Sequence, residues 1–334
     1  MDSLTQLALG AAVGEATAGR QVGRRALLWG AALGTMPDLD VFIPLGDAVR
    51  DFTYHRSASH SLFVLLALTP LMVWLILKLH PGTAEHRRRW VVLVYLVFAT
   101  HVLLDSFTVY GTQIFWPFFT TPMTWSTIFI IDPLYTVPLL LGIIAALIAA
   151  RDRTWGHTAN MIGLVLSSGY LVWTVGVKLH VEQVARNALQ QQEVVSSAVL
   201  TTPTPFNSLL WRILAVNEEH YYEGFYSVLD DEPRIRFERY PRMRELVAPL
   251  HDSWPVQRLQ WFTKGFYAAS RNDRNVIVTD LRMGFEPDYV FRFKVGEIGN
   301  PHPRPAAVER QPGIRNYERL HWVWARIWDA QARS

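Results

Sequence analysis

The residues of this chain best suited to chemistry are aspartates and histidines that lie in or beside apolar stretches. They are Asp38, Asp40, His55, His60, His101 and Asp105. Carboxylate and imidazole groups are ligands that hard or borderline divalent ions take from proteins. Ionisable residues in membrane-like sequence are costly, so their presence there indicates function. The pattern predicts a divalent metal site at one face of a membrane helix bundle.

His101 and Asp105 are four residues apart in an apolar run. On a helix this spacing places both side chains on one face. They can be two ligands, or a ligand and the carboxylate that orients it. The alternative is a histidine that merely hydrogen-bonds to the neighbouring aspartate.

Asp38 and Asp40 follow Pro37, and a proline disfavours helical backbone at the preceding residue. The sequence therefore predicts an irregular turn, in which both carboxylates can face one cation. A helix-ending turn with solvated carboxylates is the alternative.

His55 and His60 flank a short polar segment that contains Arg56. Serines in this segment can cap a helix that begins near His60. The two histidines are candidate ligands, and Arg56 is a candidate for holding an anion such as phosphate. A solvated loop whose histidines contact lipid headgroups is the alternative.

Other polar residues receive lesser roles. Glu15, inside the first apolar run, is a candidate either for orienting a metal ligand or for acting as general base, and with Arg56 it completes the predicted catalytic residues. Gln6 is expected to hydrogen-bond between helices, and Asp132 to cap the segment that begins at Pro133.

The charge distribution divides the chain in two. Residues 1–180 contain 12 Lys/Arg and 10 Asp/Glu, whereas 181–334 contain 20 and 19. The first part is poor enough in charge for lipid, and the second has the composition of a soluble domain. Because the net charge is only +3, a nucleic-acid partner is not predicted. The absence of cysteine excludes disulfides and thiolate zinc sites.

The predicted fold is a polytopic α-helical membrane bundle followed by a β-rich soluble C-terminal domain. About six hydrophobic helices are expected within residues 1–180, in the runs 4–18, 26–45, 62–79, 90–110, 133–150 and 160–179. The first two runs are short, so spans, half-spans and re-entrant helices all remain open. Small residues in these two runs, such as Gly10 and Gly34, permit close packing.

Three basic clusters orient the chain: Arg20/Arg24/Arg25, Arg87/Arg88/Arg89 and Arg151/Arg153. If all six runs cross, the positive-inside rule places these clusters in the cytoplasm. The opposite loops, 46–61 and 111–132, then face outward together with everything after residue 179. All six candidate ligands would gather at the non-cytoplasmic face, on the same side as the soluble domain.

Residues 181–334 are predicted to be a short stalk helix and a β-rich domain. Short strands are expected at 198–202, 209–216, 221–229, 256–262, 266–270, 276–281 and 289–295. Residues 271–275 have the composition of a hairpin turn. The proline-rich stretch 300–313 is expected to be a loop before a final helix.

The ordered motifs resemble the YdjM-like family, LexA-associated inner-membrane proteins regarded as metal-dependent hydrolases. The resemblance rests on Met1–Gln6, Pro37–Asp40, His55–Ser61, His101–Asp105 and Phe129–Tyr135, and Pro203–Trp211 resembles the C-terminal extension of longer members. Many relatives carry histidine at the position of Gln6, and glutamine is a poor ligand. The resemblance implies a bacterial inner-membrane location, zinc, and hydrolysis of a phosphoester, by analogy with zinc-dependent phospholipases C and nucleases.

The sequence hypothesis is therefore a membrane-bound, metal-dependent hydrolase that acts on a phosphoester or lipid-like envelope substrate. Membrane lipids and a small or lipid-like substrate are its expected partners. A cation-handling transporter is one alternative, although the cytoplasmic halves of the apolar runs contain little charge for a path across the membrane. A non-catalytic envelope protein is the other, with polar groups that only join helices.

Overall fold

The chain folds into two compact units. The computed structural model describes residues 1–149, 154–313 and 318–332, so Arg151 and Arg153 lie outside the described residues. One unit comprises Met1–Phe42 and His55–Val175, and the other comprises Ile43–Tyr54 and Gly176–Ser334. The sequence predicts a domain boundary at 180/181, and the two units divide at 175/176. Both positions lie inside one continuous helix, Thr154–Gln191.

The helices and strands are as follows. The α-helices of the described residues are α1 Ser3–Val22, α2 Arg24–Thr35, α3 Ala48–Tyr54, α4 Leu62–Leu79, α5 Arg87–Ser106, α6 Pro133–Ile148, α7 Thr154–Gln191, α8 Trp254–Phe262 and α9 Glu318–Trp328. The strands are β1 Ala198–Pro203, β2 Leu210–Val216, β3 His220–Ser227, β4 Glu238–Pro241, β5 Tyr267–Asn272, β6 Asn275–Asp280, β7 Gly284–Phe285, β8 Asp288–Tyr289, β9 Arg292–Glu297 and β10 Arg304–Gln311.

Three helical stretches among the described residues are long and apolar enough to cross a membrane. They are Leu62–Leu79, Pro81–Ser106 and Thr154–Gln191, judged by length and composition. The prediction of about six crossing helices is not supported by these lengths. The 12 residues of α2 extend only about 18 Å, short of a ~30 Å hydrocarbon core, and the 16 residues of α6 are also few.

Helices α1 and α2 form a tight antiparallel pair, as their small residues predict. A Cβ atom added at Gly10 would lie 2.9 Å from the Cα of Gly34. One added at Gly34 would lie 2.6 Å from the carbonyl oxygen of Gln6. Only glycine allows the two backbones to approach this closely, which brings the end of α2 beside the start of α1.

The second unit contains two antiparallel four-stranded sheets, with orders β1-β2-β3-β4 and β10-β9-β6-β5, and the short ladder β7-β8. The hairpin predicted at 271–275 is confirmed, since Asn272 pairs with Asn275 between β5 and β6.

Two secondary-structure predictions for this unit are wrong. The strand predicted at 256–262 is helix α8, in which Val256, Leu259 and Phe262 are buried with helical spacing. The loop predicted at 300–313 contains β10, which pairs with β9. The helix predicted for the stalk is confirmed as the end of α7, and Val181 and Ala185 on it pack with Trp211 in a core.

Residues 43–54 belong to the second unit, an association that sequence spacing did not predict. Helix α3 packs on α8, with the ring of Phe52 centred 4.9 Å from that of Phe262. The Nε of Arg258 donates to the hydroxyl of Thr53 at 3.0 Å. The chain therefore leaves the first unit after Phe42 and returns to it at His55.

Candidate metal centre

Four of the predicted ligands meet in the first unit. Asp38 lies in the 3₁₀ helix Pro37–Phe42, His60 in the 3₁₀ helix Ala58–His60, and His101 and Asp105 on one face of α5. One candidate ligand atom from each residue lies within 4.8 Å of the other three. The prediction that far-apart stretches converge on a shared group of ligands is confirmed for these four.

The spacing of the four atoms fits a small cation. The Nε2 of His60 lies 3.3 Å from Oδ1 of Asp38, 3.1 Å from Oδ2 of Asp105 and 3.2 Å from Nε2 of His101. The Nε2 of His101 lies 3.8 Å from Asp38 Oδ1 and 3.6 Å from Asp105 Oδ2. A tetrahedron with bonds of ~2.0–2.1 Å has edges of roughly 3.3–3.4 Å, so these atoms surround a volume that suits Zn²⁺ or an ion of similar size.

Both imidazoles are oriented from their far side. The Nδ1 of His101 lies 2.7 Å from the carbonyl oxygen of Gly34, so it carries the proton and leaves Nε2 as an acceptor facing the cluster. The Nδ1 of His60 lies 2.9 Å from the hydroxyl of Ser59, which in turn donates to Oδ2 of Asp40 at 2.5 Å. Because the Ser59 hydroxyl donates its hydrogen to Asp40, it accepts one from Nδ1 of His60. A neutral His60 therefore has an unprotonated Nε2, as metal binding requires.

We expect Gly34→Val to weaken metal binding although residue 34 supplies no ligand. The added side chain meets the backbone of α1 at Gln6 and Gly10, so α2 must move and the carbonyl of residue 34 shifts away from His101. Zinc titration with a competing chelator should show lower affinity, whereas Gly82→Val, at an open position without a positive φ, tests for a general effect of changing a glycine. Unchanged affinity in Gly34→Val would contradict this role of the α1–α2 contact.

Asp40 and His55 form a separate pair beside the four atoms. The Nδ1 of His55 lies 2.7 Å from Oδ1 of Asp40, and the backbone N–H of Arg56 donates to Oδ2 of Asp40 at 3.2 Å. The structure thus places the two predicted ligands in an outer layer, where Asp40 supports His60 through Ser59. No feature of sequence spacing indicated this role for Ser59.

Asp40→Asn is expected to lower zinc affinity by about 10–100-fold while leaving saturation at the wild-type stoichiometry. The amide replaces a charged acceptor that holds both Ser59 and His55. Chelator competition measures the affinity, and Asp47→Asn, which changes an aspartate outside the cluster, is the matched control. Complete loss of metal would make Asp40 a ligand, and unchanged affinity would remove its orienting role.

Asp105 is buried among hydrogen-bond donors and cations. The Nε2 of Gln6 donates to Oδ1 at 3.0 Å and also to the carbonyl oxygen of His101 at 3.2 Å, which confirms the predicted link between helices. The α-amino group of Met1 contacts the same Oδ1. Oδ2 lies 3.3 Å from Nε of Arg56 yet accepts no hydrogen bond, although it is fully buried. An oxygen in this state is suited to a bound cation.

Arg56 was predicted to hold an anion, and the structure places it against the cluster. Its Nη1 donates to the hydroxyl of Thr108 at 3.2 Å, and its guanidinium lies 5.0 Å from the ring centre of Tyr110. Its side chain is only 4% exposed, and its Nε lies 3.3 Å from Oδ2 of Asp105. In this structure the guanidinium therefore faces a buried carboxylate. A positive φ of 63° at Arg56 turns the chain so that Asp40 accepts its N–H while the side chain reaches Asp105.

The neighbouring histidines stabilise the ionised form of Asp38. Burial alone would raise the pKa of Asp38, but the hydrogen bond with His60 and the charge of His101, present when these imidazoles are protonated, outweigh burial and lower the pKa to about 2. Asp38 is therefore a carboxylate across the physiological range. Two carboxylates and two imidazoles match the charge and the ligand preference of a divalent ion.

Two predicted residues lie elsewhere. Glu15 is nine residues beyond Gln6 on α1, roughly 13 Å further along the helix, and its Oε1 lies 3.7 Å from Nδ1 of His157. The structure therefore does not bring Glu15 to the metal cluster. Asp132 caps α6 by accepting from the N–H of Leu134, as predicted, and it also accepts from the hydroxyl of Tyr170.

Apolar helices around a buried group of imidazole and carboxylate ligands define a membrane protein with a candidate metal centre. The family model described as YdjM inner membrane protein matches residues 1–181. Because this match covers more than half of the chain, the protein belongs to the YdjM family of inner membrane proteins. Searches of curated proteins and of solved structures found no match to the chain.

Proposed function

We propose that this protein is a membrane-bound, metal-dependent hydrolase acting on a phosphoester or a lipid-like envelope substrate. The observation that carries the proposal is the convergence of Asp38, His60, His101 and Asp105 within 4.8 Å. Zinc is the proposed ion because its preferred ligands and coordination distances match this set.

The exposed edge of the cluster suggests where water and substrate approach. The side chains of His60, His101 and Asp105 are at most 1% exposed, whereas Asp38 is 17% exposed. Asp40 and His55, at 15% and 18%, have similar exposure. When bound, zinc would make water a nucleophile near neutral pH. His60, His101 and Asp105 would hold the ion from the buried side, and Asp38, the fourth ligand, would lie on the exposed side where water and substrate approach.

The Asp40–His55 pair is placed to handle the proton in this proposal. A carboxylate on Nδ1 of an imidazole fixes its orientation and leaves Nε2 to exchange a proton with water or a leaving group. Arg56 would hold Asp105 in position, and its charge would favour an anionic substrate near the site.

We further propose a multi-pass arrangement in the bacterial inner membrane, with the soluble unit in the periplasm. In this arrangement α1, α2 and α6 belong to the same bundle as the three candidate spans. Protease added outside spheroplasts should remove a C-terminal tag. A tag that is cut only after lysis would place the C-terminus in the cytosol.

The hydrolase proposal is tested with zinc-loaded protein and a panel of phosphomonoesters, phosphodiesters and long-chain phospholipids. We expect hydrolysis that stops on chelation, returns with zinc, and is absent in His101→Ala but retained in His86→Ala. Stoichiometric zinc with no hydrolysis of any substrate would overturn the hydrolase and favour a cation-handling or non-catalytic protein. Absence of bound metal from the wild type would overturn the metal site as well.

A further inference from the structure

The segment between Asp105 and Asp132 has an unusual composition for a connection between helices. Residues 106–131 contain no Asp, Glu, Lys, Arg or His. Several of its large apolar side chains are exposed, with Phe118 71%, Phe119 72% and Phe115 41% accessible. Exposed apolar surface on this scale marks a site of contact with a membrane or a partner.

This uncharged loop, residues 107–131, is tied to the segment that carries His55 and His60. The N–H of Gln113 donates to the carbonyl of Arg56 at 2.9 Å, and the N–H of Leu62 donates to the carbonyl of Ile114 at 3.0 Å. The hydroxyl of Ser61 donates to the carbonyl of Trp116 at 2.5 Å. The exposed phenylalanines are therefore held at the end of the first unit that contains the metal cluster.

The other half of the loop is bonded to the end of α5. The N–H of Trp125 donates to the carbonyl of Ser106 at 2.7 Å, and that of Thr127 to the carbonyl of Phe107 at 2.8 Å. Thr112 and Met123 exchange two backbone hydrogen bonds across the loop. These internal bonds satisfy backbone groups that would otherwise oppose entry into an apolar environment.

The loop also continues the outer surface of a candidate span. Phe63, in the first turn of α4, is 46% exposed, and its ring centre lies 5.2 Å from that of Phe118 and 6.4 Å from that of Phe115. Leu66, one turn further along α4, is 53% exposed. The apolar face that α4 offers to lipid thus extends without a charged side chain onto the loop.

We propose that the uncharged loop is seated in the boundary between the headgroups and acyl chains of the bilayer. Amphiphiles would then reach the metal cluster from the leaflet, with their chains beside Phe118 and Phe119 and their headgroups at Asp38. The seating of the loop is independent of catalysis, whereas the delivery of an amphiphilic substrate rests on the proposed hydrolase function. Lipid is the favoured occupant because the loop is continuous with the candidate span α4 and carries no charge for pairing with a protein.

The seating can be measured directly because the chain contains no cysteine. Single spin labels are attached to Phe118→Cys and Phe119→Cys in vesicles of phosphatidylethanolamine and phosphatidylglycerol. Labels at Leu66→Cys, on α4, and at Glu85→Cys, whose side chain is 77% exposed, are the lipid and water references. Collision rates with oxygen and with a nickel chelate report lipid and water access.

We expect the oxygen-to-nickel ratio at residues 118 and 119 to match that at Leu66 and to exceed that at Glu85 severalfold. Ratios equal to that at Glu85 would place the loop in water and overturn the proposal. Protection from both reagents would show that a protein surface, such as a second copy of the chain, covers the loop, and would also overturn it.

Delivery of substrate has its own test. The double variant Phe118→Gln/Phe119→Gln should hydrolyse a long-chain phosphoester in vesicles severalfold more slowly than wild type, with a short soluble phosphoester cleaved at the wild-type rate. Equal loss on both substrates, or no loss on either, would overturn delivery from the leaflet. If the wild type cleaves neither substrate, the hydrolase proposal fails, while the label measurements still decide the seating.

Discussion

Purified His101→Ala is expected to lose its bound zinc, with affinity falling by more than the ~100-fold upper range seen for residues that only orient a ligand. The Nε2 of His101 lies 3.2 Å from His60 Nε2 and 3.6 Å from Asp105 Oδ2, so its removal opens one corner of the cluster. The carbonyl of Gly34, which orients this ring in the wild type, then has no imidazole to hold.

Metal content by mass spectrometry and chelator competition measure this loss. His86→Ala is the control, because His86 lies at the start of α5, far along the helix from His101, and its Nε2 lies 3.5 Å from Oε1 of Glu85. A second variant, His60→Gln, guards against misfolding in the first, since it keeps much of the side-chain volume. Full zinc content in both folded variants would show that the four atoms do not bind the ion.

Asp105→Asn is expected to lose metal and to reduce the free energy of unfolding by about 3–5 kcal/mol, the usual cost of leaving a buried charge without its partner. Asp105 is fully buried, and Arg56 is only 4% exposed. In this variant the guanidinium of Arg56 keeps its hydrogen bond to the hydroxyl of Thr108, but the carboxylate that balanced its charge is gone. Denaturant unfolding in detergent measures the stability of the apo-protein, so that metal binding does not contribute.

The double variant Asp105→Asn/Arg56→Gln separates the two effects. Removing both charges should restore part of the lost stability, because neither group is then buried alone, whereas zinc binding should stay lost. If the double variant is destabilised by the sum of the single effects, Asp105 and Arg56 are not coupled. If Asp105→Asn retains wild-type stability and zinc, the carboxylate has neither role.

Local patterns predicted much of the fold. Apolar runs of helical length gave α4, α5 and α7, and β-branched and aromatic runs gave β1, β2, β3, β5 and β6. The failures have local reasons. Residues 256–262 are apolar enough for a strand, but Pro255 at the first turn and the spacing of buried residues favour a helix. Hydrophobicity also overestimated the number of complete spans, because α2 ends after 12 residues.

The candidate site was predicted in its residue types and only partly in its arrangement. The sequence indicated six ligands, of which four converge, while Asp40 and His55 bind one another. Sequence spacing fixes which helix face carries His101 and Asp105, but it does not fix side-chain directions in the short 3₁₀ helices. The sequence did not indicate that the Gly34 carbonyl orients His101 or that the Ser59 hydroxyl orients His60. Most backbone carbonyls and most serines do not orient a metal ligand.

By itself, the sequence determined that the chain has an apolar, charge-poor first part, a charge-rich second part, and histidines and aspartates suited to a divalent ion. These features depend on composition and on local periodicity, which act over a few residues. Only the tertiary structure decided which side chains meet. The close contact of α1 with α2, the turn at Arg56 and the packing of α5 bring together residues that are up to 104 positions apart, such as Met1 and Asp105. Contacts over that separation depend on the packing of whole helices, which no single stretch of sequence specifies.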